Sequence, residues 1–504
     1  MMHLHVVIAF ALLIWWARDL PVGPLITSTA GSWAVVLGQL FLAWLLARTA
    51  SSSAMRALAN HRDGVHHAQH CHHRNVMILR GFVLLTFAAD LMLTNWPAII
   101  NGQALLAKVP ALSELIILSP FLAATVLVLW AGYPIDRALR RSIADVSVWH
   151  GAGPQKVWGM RTYLDFNIRH QLLTVLVPMT IILIFVDLSY EYESEIVRAV
   201  PIPWLPDIIL GMAAAGVFVI APWFLKRIWT TERLPDGPLR RNLETVCKRI
   251  GIKCRDILVW RSGGMFVNAA VMGLFARVRY VMLSDGLLES MSDKQIEAVF
   301  GHEAGHIRHR HIPFFLLFAL ASMLIASGLM ELVFRWGMDG PGANRVSPFV
   351  IQLSGFAAVS AMWGFGFGFV SRRFERQADL FGARSVSPQE DARCQVPCSM
   401  HPCEGESPGC SKSLCATGAR IFVSSLDRVA LLNGIPLEEP SWRHSSIAHR
   451  IQFLEALSAD PRRVVAFERM IRIIKLVLLG VCVVGLTVSA FYVWPYVSAT
   501  WRNG

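Results

Sequence analysis

Residues 292–334 read SDKQIEAVFGHEAGHIRHRHIPFFLLFALASMLIASGLMELVF. The segment opens with Ser292, and Gln295 follows three positions later, which is the pattern of a capping box at the start of a helix. Its second half is an apolar run of about 20 residues, the length that crosses a bilayer. The sequence therefore predicts a polar helix that leads directly into a membrane span.

An HExxH motif lies in this predicted helix, with histidines at His302 and His306. Four residues are about one helical turn, so both imidazoles project from the same side and can bind one Zn²⁺. Glu303 follows the first histidine and is the expected general base that activates water. The small residues Gly301, Ala304 and Gly305 are expected to leave room for a substrate backbone.

A catalytic zinc site needs a third protein ligand and one open position. Ile312 occupies the position at which a metzincin would have its third histidine, which excludes that class. Glu375 and Asp379 follow the next apolar run and share one helix face. We predict that Glu375 completes the metal site and that Asp379 accepts a hydrogen bond from a ligand imidazole. The nearby His309 and His311 are interpreted as juxtamembrane polar residues.

The composition of the whole chain indicates a membrane protein. Of its 504 residues, 54% are hydrophobic and only 16% are charged, against roughly a quarter in soluble domains. A disordered chain is excluded as well, because it would be polar and poor in aromatic residues. Apolar runs that are long enough, or nearly so, to span a bilayer lie at about 4–17, 24–47, 76–95, 112–133, 171–187, 206–225, 312–334, 348–370 and 473–494.

The net charge of the chain is +12, and its basic residues are concentrated in some of the loops between these runs. Lys and Arg collect in cytoplasmic loops, so the excess indicates membrane topology, and no nucleic-acid partner is expected. Basic segments at 48–75 and 134–170 alternate with an acidic segment at 188–205. With nine spans, this alternation predicts that residues 226–311 and 371–472 lie in the cytoplasm.

The chain resembles metallopeptidase family 48 in four segments, which occur in the family's order. These segments are 265–285, Gly301–His306, Ser371–Asp379 and His444–Ile451. The resemblance implies zinc-dependent endopeptidase activity at a cytoplasmic membrane face. It also implies that Asn268 lies on an edge strand that binds substrate, and that His444 and Arg450 face the cleft and stabilise the oxyanion.

The predicted fold class is an α-helical polytopic membrane protein with a mainly helical, zincin-type α+β catalytic domain that carries a small β-sheet. An N-terminal membrane domain of about six spans is predicted at 1–225, the metallopeptidase domain at 226–460 and a last span at 461–504. A transmembrane hairpin at 312–370 and a Cys-rich insert at 390–418 interrupt the middle part. Short β-type runs at 256–260, 265–270 and 278–283 form the predicted sheet.

The expected cofactor is one catalytic Zn²⁺, and the expected partners are the lipid bilayer and a polypeptide substrate, which is either lipidated or embedded in the membrane. Two kinds of protease remain open: one that processes CAAX-type prenylated proteins and one that serves membrane-protein quality control. A third alternative is a sensor-transducer in which the metal site serves signalling.

Five of the nine cysteines fall within the insert, in a stretch of 22 residues. Disulfides are rare in the cytoplasm, so this pattern favours a separate structural metal site over disulfide bonds, and an insert with idle thiols is the alternative. The candidate ligands are Cys394, Cys398, His401, Cys403, Cys410 and Cys415. The His-rich tract 61–73 is predicted to be a loop, either solvated or a weak metal trap.

Overall fold

A computed structural model gives the structure of residues 6–9, 13, 24–60, 64–149, 156–200, 205–264, 266–339, 348–386 and 414–502. These residues are mainly helical and include one small sheet, which confirms the predicted fold class. The cytoplasmic placement of the catalytic domain and the three-part domain division stay predictions.

The first helices in chain order, with bounds from the structure, are α1 (Thr29–Asn60), α2 (Gly64–Leu93), α3 (Trp96–Asn101), α4 (Leu112–Ile117), α5 (Ser119–Trp149), α6 (Met160–Asn167), α7 (Thr174–Glu191), α8 (Glu193–Ala199) and α9 (Leu205–Ile228). The later helices are α10 (Pro238–Arg249), α11 (Asp285–Ser290), α12 (Asp293–Arg308), α13 (His311–Asp339), α14 (Pro348–Ala361), α15 (Gly368–Ser385), α16 (Ala416–Asn433), α17 (Ile447–Ala459) and α18 (Pro461–Arg502). The strands are β1 (Thr231–Arg233), β2 (Asp256–Trp260), β3 (Ala269–Met272) and β4 (Tyr280–Ser284).

The chain divides into two compact units. The first comprises residues 1–232 with 259–267 and 284–289, and its helices α1, α2 and α5 pack on one another. Phe87 and Phe121 lie in its buried core. The prediction of a loop at 61–73 was wrong from Gly64 onward, because α2 begins there and carries the histidines on its first turns.

The second unit comprises residues 233–258, 268–283 and 290–504 and contains the HExxH motif. Helices α12, α15, α16, α17 and α18 surround its core, in which Phe374 and Phe422 are fully buried. Strand order in the sheet is β1-β2-β4-β3, so β3 lies at an edge. It pairs antiparallel with β4, and Val271 stands opposite Val281.

The strand prediction was right for β2 and started too early for the other two. Strand β3 begins four residues after the predicted start, because Gly263 and Gly264 adopt positive φ and turn the chain first. Strand β4 begins two residues late, after a 3₁₀ turn at Ala276–Val278.

The predicted capping box is confirmed at the start of α12. The Ser292 hydroxyl accepts from the backbone N–H of Gln295, and the Gln295 side chain accepts from the backbone N–H of Ser292. Helix α12 ends at Arg308, and Arg310 adopts a left-handed φ of 56° before α13 begins. This turn separates the HExxH helix from the membrane span that follows it.

Within the described residues, eight helical segments are long and apolar enough to cross a membrane. They are Thr29–Ala59, His67–Leu93, Ser119–Val146, Met160–Glu191, Ile208–Ile228, His311–Trp336, Leu353–Ser385 and Pro461–Phe491. They correspond to the last eight predicted apolar runs, whereas the first run, 4–17, lies largely outside the described residues.

A π-helical turn at Met362–Phe367 joins α14 to α15. A π turn is one residue wider than an α turn and disturbs the regular hydrogen-bond ladder. The indole N–H of Trp442 donates to the carbonyl of Gly364 in this turn, at 2.7 Å. The carbonyl of Trp442 in turn accepts from Arg372 on α15, at 2.8 Å.

Candidate metal centre

Helices α12 and α15 pack side by side through small residues. A Cβ atom added to Gly301 would lie 3.2 Å from the Cα of Gly382, and one added to Gly305 would lie 3.0 Å from the Cα of Ala378. Both glycines therefore allow the two backbones to approach closely. The expectation that they leave room for a substrate backbone was wrong, because α15 occupies that space.

This close packing brings His302, His306 and Glu375 together. The Nε2 atoms of the two histidines are 3.3 Å apart, and each faces a carboxylate oxygen of Glu375, at 3.5 Å from His302 and 3.8 Å from His306. Among the described residues, this is the group whose donor atoms converge closely enough to hold a metal ion.

The spacing of these atoms suits a tetrahedral ion. Bonds of about 2.0–2.1 Å at tetrahedral angles place neighbouring ligand atoms about 3.4 Å apart. Two imidazole nitrogens and one carboxylate oxygen are also the donor set of a catalytic zinc site with an open fourth position. The residues present therefore fit the predicted metal.

Asp379 lies behind the first histidine and is completely buried. Its Oδ1 atom is 2.8 Å from His302 Nδ1, the ring nitrogen that faces away from Glu375. Arg450 donates two hydrogen bonds to the same carboxylate, at 2.8 Å and 2.5 Å. A bidentate pair of this kind fixes the orientation of Asp379, and through it the ring of His302.

The ring of His306 contacts His311 through the nitrogen that faces away from Glu375. The Nδ1 atoms of His306 and His311 are 2.8 Å apart, and His311 is completely buried. His311 begins a candidate membrane span, as its interpretation as a juxtamembrane residue implies, but its buried contact with His306 was not predicted. Helical spacing does not predict the contact between His306 and His311, because residues five apart on one helix point about 140° away from each other. The left-handed residue Arg310 interrupts the helix and brings the two rings together.

The two histidines have opposite electrostatic environments. Burial opposes a charge on His302, but the carboxylates of Asp379 and Glu375 outweigh it and raise the pKa of His302 to about 10. Burial lowers the pKa of His306 to about 4, so this ring is neutral at physiological pH. A neutral imidazole is the form that binds a metal.

Glu303 projects from α12 toward the edge strand. Burial raises the pKa of its carboxyl group to about 7, and the backbone N–H of Val271 on β3 donates to it. A carboxyl group whose pKa lies near neutrality can both accept and return a proton.

The remaining predicted site residues lie around this centre. Asn268 is exposed and directly precedes the edge strand β3. His444 is half exposed, and its Nδ1 atom lies 3.0 Å from Glu375 Oε2. Arg450 contacts Asp379, as described above. The structure thus groups His444 and Arg450 with the metal-ligand candidates, while their roles stay predictions.

Most candidate ligands of the Cys-rich insert lie outside the described residues, namely Cys394, Cys398, His401, Cys403 and Cys410. Cys415 is described and buried at the start of α16, where its sulfur accepts from the backbone N–H of Gly418 and caps the helix. The metal site predicted for the insert stays a prediction.

The edge strand, the HExxH helix and the glutamate from a second helix define a zinc-metallopeptidase type of domain, attached here to a bundle of candidate membrane spans. Residues 233–457, which are 225 of the 504 residues, match the model of peptidase family M48. The predicted recognition is therefore confirmed.

Curated relatives each match a segment of the chain. A Protease HtpX homolog of Archaeoglobus fulgidus is 30% identical over 109 residues, which are 22% of this chain and 31% of that protein. CAAX prenyl protease 1 of Saccharomyces cerevisiae is 30% identical over 129 residues, which are 25% of this chain and 27% of that protein. The matched segment thus spans about a third of either relative.

Among solved structures, S. mikatae Ste24p matches with a TM-score of 0.48 and 16% identity, over 86% of this chain and 100% of that chain.

Proposed function

We propose that this protein is an integral membrane zinc endopeptidase with its active site at the cytoplasmic membrane face. The observation that carries the proposal is the convergence of His302, His306 and Glu375 next to Glu303. These three residues would hold a metal ion and leave room for a fourth ligand, and the candidate general base directly follows the first of them in sequence.

Each side chain of the site has a separate role in the proposed peptide hydrolysis. Bound zinc supplies Lewis-acid polarisation of the scissile carbonyl and acidifies water. Glu303 takes the proton of the attacking water and passes it to the leaving amine, for which a pKa of about 7 is well matched. Asp379 and Arg450 hold the ring of His302. His444 is the candidate that stabilises negative charge on the substrate oxygen.

Substrate binding is proposed at the free edge of β3. Val271 on this strand contacts Glu303, so a peptide added alongside β3 would pass next to the general base. An extended peptide pairs with a sheet edge through backbone hydrogen bonds, which tolerate many side chains. Asn268, at the start of this edge, is the candidate that binds the substrate backbone.

The substrate class follows from the membrane spans and from the relatives' names. A site between α12 and a helix that continues into a candidate span favours polypeptides that are embedded in, or attached to, the membrane. The name of the yeast relative, CAAX prenyl protease 1, favours lipidated CAAX-type substrates. Membrane proteins under quality control are the alternative substrate class. The basic segments that flank the site support a cytoplasmic location.

The test is proteolysis by purified protein in detergent. Glu303→Gln should retain the metal and the fold but lower kcat by several orders of magnitude, because it loses the base and preserves the geometry. Glu195→Gln, an exposed residue of α8, is the matched control and should cleave like wild type. Equal cleavage by Glu303→Gln and wild type would contradict the proposed function.

A further inference from the structure

Lys475 on the last helix, α18, contacts residues that lie next to the candidate metal ligands. Its ammonium group donates to the backbone carbonyl of His309, at 2.8 Å, and to Oε1 of Gln377, at 3.3 Å. The rings of Phe314 and Phe374 lie 5.0 Å and 5.4 Å from the same nitrogen. A positive charge within a candidate span is costly unless it has such partners.

The ammonium group determines which end of the Gln377 amide faces it. Ammonium has three donors and no acceptor, so only the carbonyl oxygen of the amide can meet it favourably. The amide of Gln377 is therefore oriented by Lys475 and cannot invert without placing two donors against each other.

The same oxygen of Gln377 lies 3.0 Å from Nε2 of His311. Because a carbonyl oxygen only accepts, Nε2 of His311 must carry the hydrogen. In a neutral ring this leaves Nδ1 of His311 as an acceptor. That atom is 2.8 Å from Nδ1 of His306, which must then be the donor.

A neutral His306 that donates from Nδ1 has its lone pair on Nε2. This is the nitrogen that lies 3.3 Å from His302 Nε2 and faces Glu375. For two neutral rings, this is the one arrangement that satisfies every contact from the ammonium group to the metal site.

We propose that Lys475, Gln377 and His311 form a positioning relay that holds His306 in the Nδ1–H tautomer required for metal binding through Nε2. The inference rests on the proposed metal centre and extends it. The two histidine ligands are thus oriented differently: Asp379 contacts His302 directly, whereas His306 depends on three residues that end on the last candidate span.

The test measures zinc affinity by chelator competition in the Glu303→Gln background, so that catalysis plays no part. Gln377→Leu and His311→Leu should each bind zinc about 10–100-fold more weakly, the usual cost of losing a group that orients a ligand. Gln377→Glu should restore affinity to within about threefold of the background, because its carboxylate accepts from both Lys475 and His311. If Gln377 only filled space, the glutamate variant would not bind zinc more tightly than the leucine variant.

Two matched controls accompany these variants. Arg472→Met removes an exposed cation from α18 three residues before Lys475 and should leave zinc affinity unchanged, whereas Lys475→Met should lower it. Arg469→Met removes a second exposed cation from α18 and should also leave zinc affinity unchanged. Thermal unfolding of each metal-free variant establishes that it is folded, and if His311→Leu does not fold, the Gln377 pair decides.

The relay would be overturned if Gln377→Leu bound zinc as tightly as the Glu303→Gln background. It would also be overturned if Gln377→Leu and Gln377→Glu lost the same zinc affinity. Either result would leave the proposed function intact. Zinc content that does not depend on His302, His306 and Glu375 would overturn the proposed function itself.

Discussion

Gly382→Ala tests whether the helix spacing holds the metal ligands in place. A Cβ atom at this position of α15 would lie 2.9 Å from the backbone nitrogen of His302 and 3.1 Å from the carbonyl oxygen of Ala298. Both are backbone atoms of α12 and cannot rotate away. The ring of Phe422 is also in the way and would have to move.

The size of the effect follows from these distances. Ordinary contact begins at 3.4 Å, so α12 and α15 would have to separate by about 0.5 Å. Glu375 lies seven residues before Gly382, about two turns along the same helix, so it moves with it. Metal sites tolerate about 0.2 Å in ligand distance. We expect zinc affinity to fall at least about tenfold, and the free energy of unfolding to fall by about 1–3 kcal/mol through overpacking.

Zinc affinity by chelator competition, and chemical denaturation of the metal-free protein in detergent, measure the two effects separately. Gly480→Ala is the matched control, since a Cβ atom there meets no other group within 4 Å. Wild-type zinc affinity in Gly382→Ala would refute the reasoning, because the ligands would then not depend on the separation of the two helices.

Three further predictions concern the ligands, the topology and the insert. Asp379→Asn should weaken zinc binding about 10–100-fold without abolishing it, as measured by competition with a chelator; unchanged affinity would mean that Asp379 does not orient His302. A reporter fused after Arg227 should report the cytoplasm and one within 188–205 the opposite side, and the reverse result would invert the proposed placement of the active site. Deletion of residues 390–413 should lower the zinc content of the reduced full-length protein from two ions to one, whereas an unchanged content would favour the idle insert.

The sequence predicted the parts of the site that depend on local spacing. The HExxH pair and the Glu375–Asp379 pair each span one helical turn, and the structure joins the two pairs across a membrane hairpin. The capping box was predicted for the same reason, since Ser292 and Gln295 are only three residues apart.

Features that depend on packing between distant segments were not predictable. His311 is helix-adjacent in sequence, yet its contact with His306 requires the left-handed residue at Arg310. Lys475 is 166 residues from His309 and contacts its carbonyl only because α18 packs beside α13. Glycine at 301 and 305 was predicted to serve substrate, whereas the neighbouring helix uses that space, and spacing along one helix cannot distinguish the two.

The π turn at Met362–Phe367 has a consequence for how this protein can accept insertions and deletions. A π turn holds one residue more than the α-helix needs, so deleting Gly364 would convert it to α-helical winding and rotate α14 by about 100° relative to α15. The ligand Glu375 would keep its phase against α12, because it lies on α15 beyond the turn and α15 itself packs on α12. The deletion would also remove the carbonyl that Trp442 binds, which ties the segment carrying His444 to α15. A one-residue deletion in this turn would therefore change the rotational register of α14 and leave α15, which carries Glu375, in place. It would also remove the hydrogen bond from Trp442 to Gly364, which helps to hold the segment that carries His444.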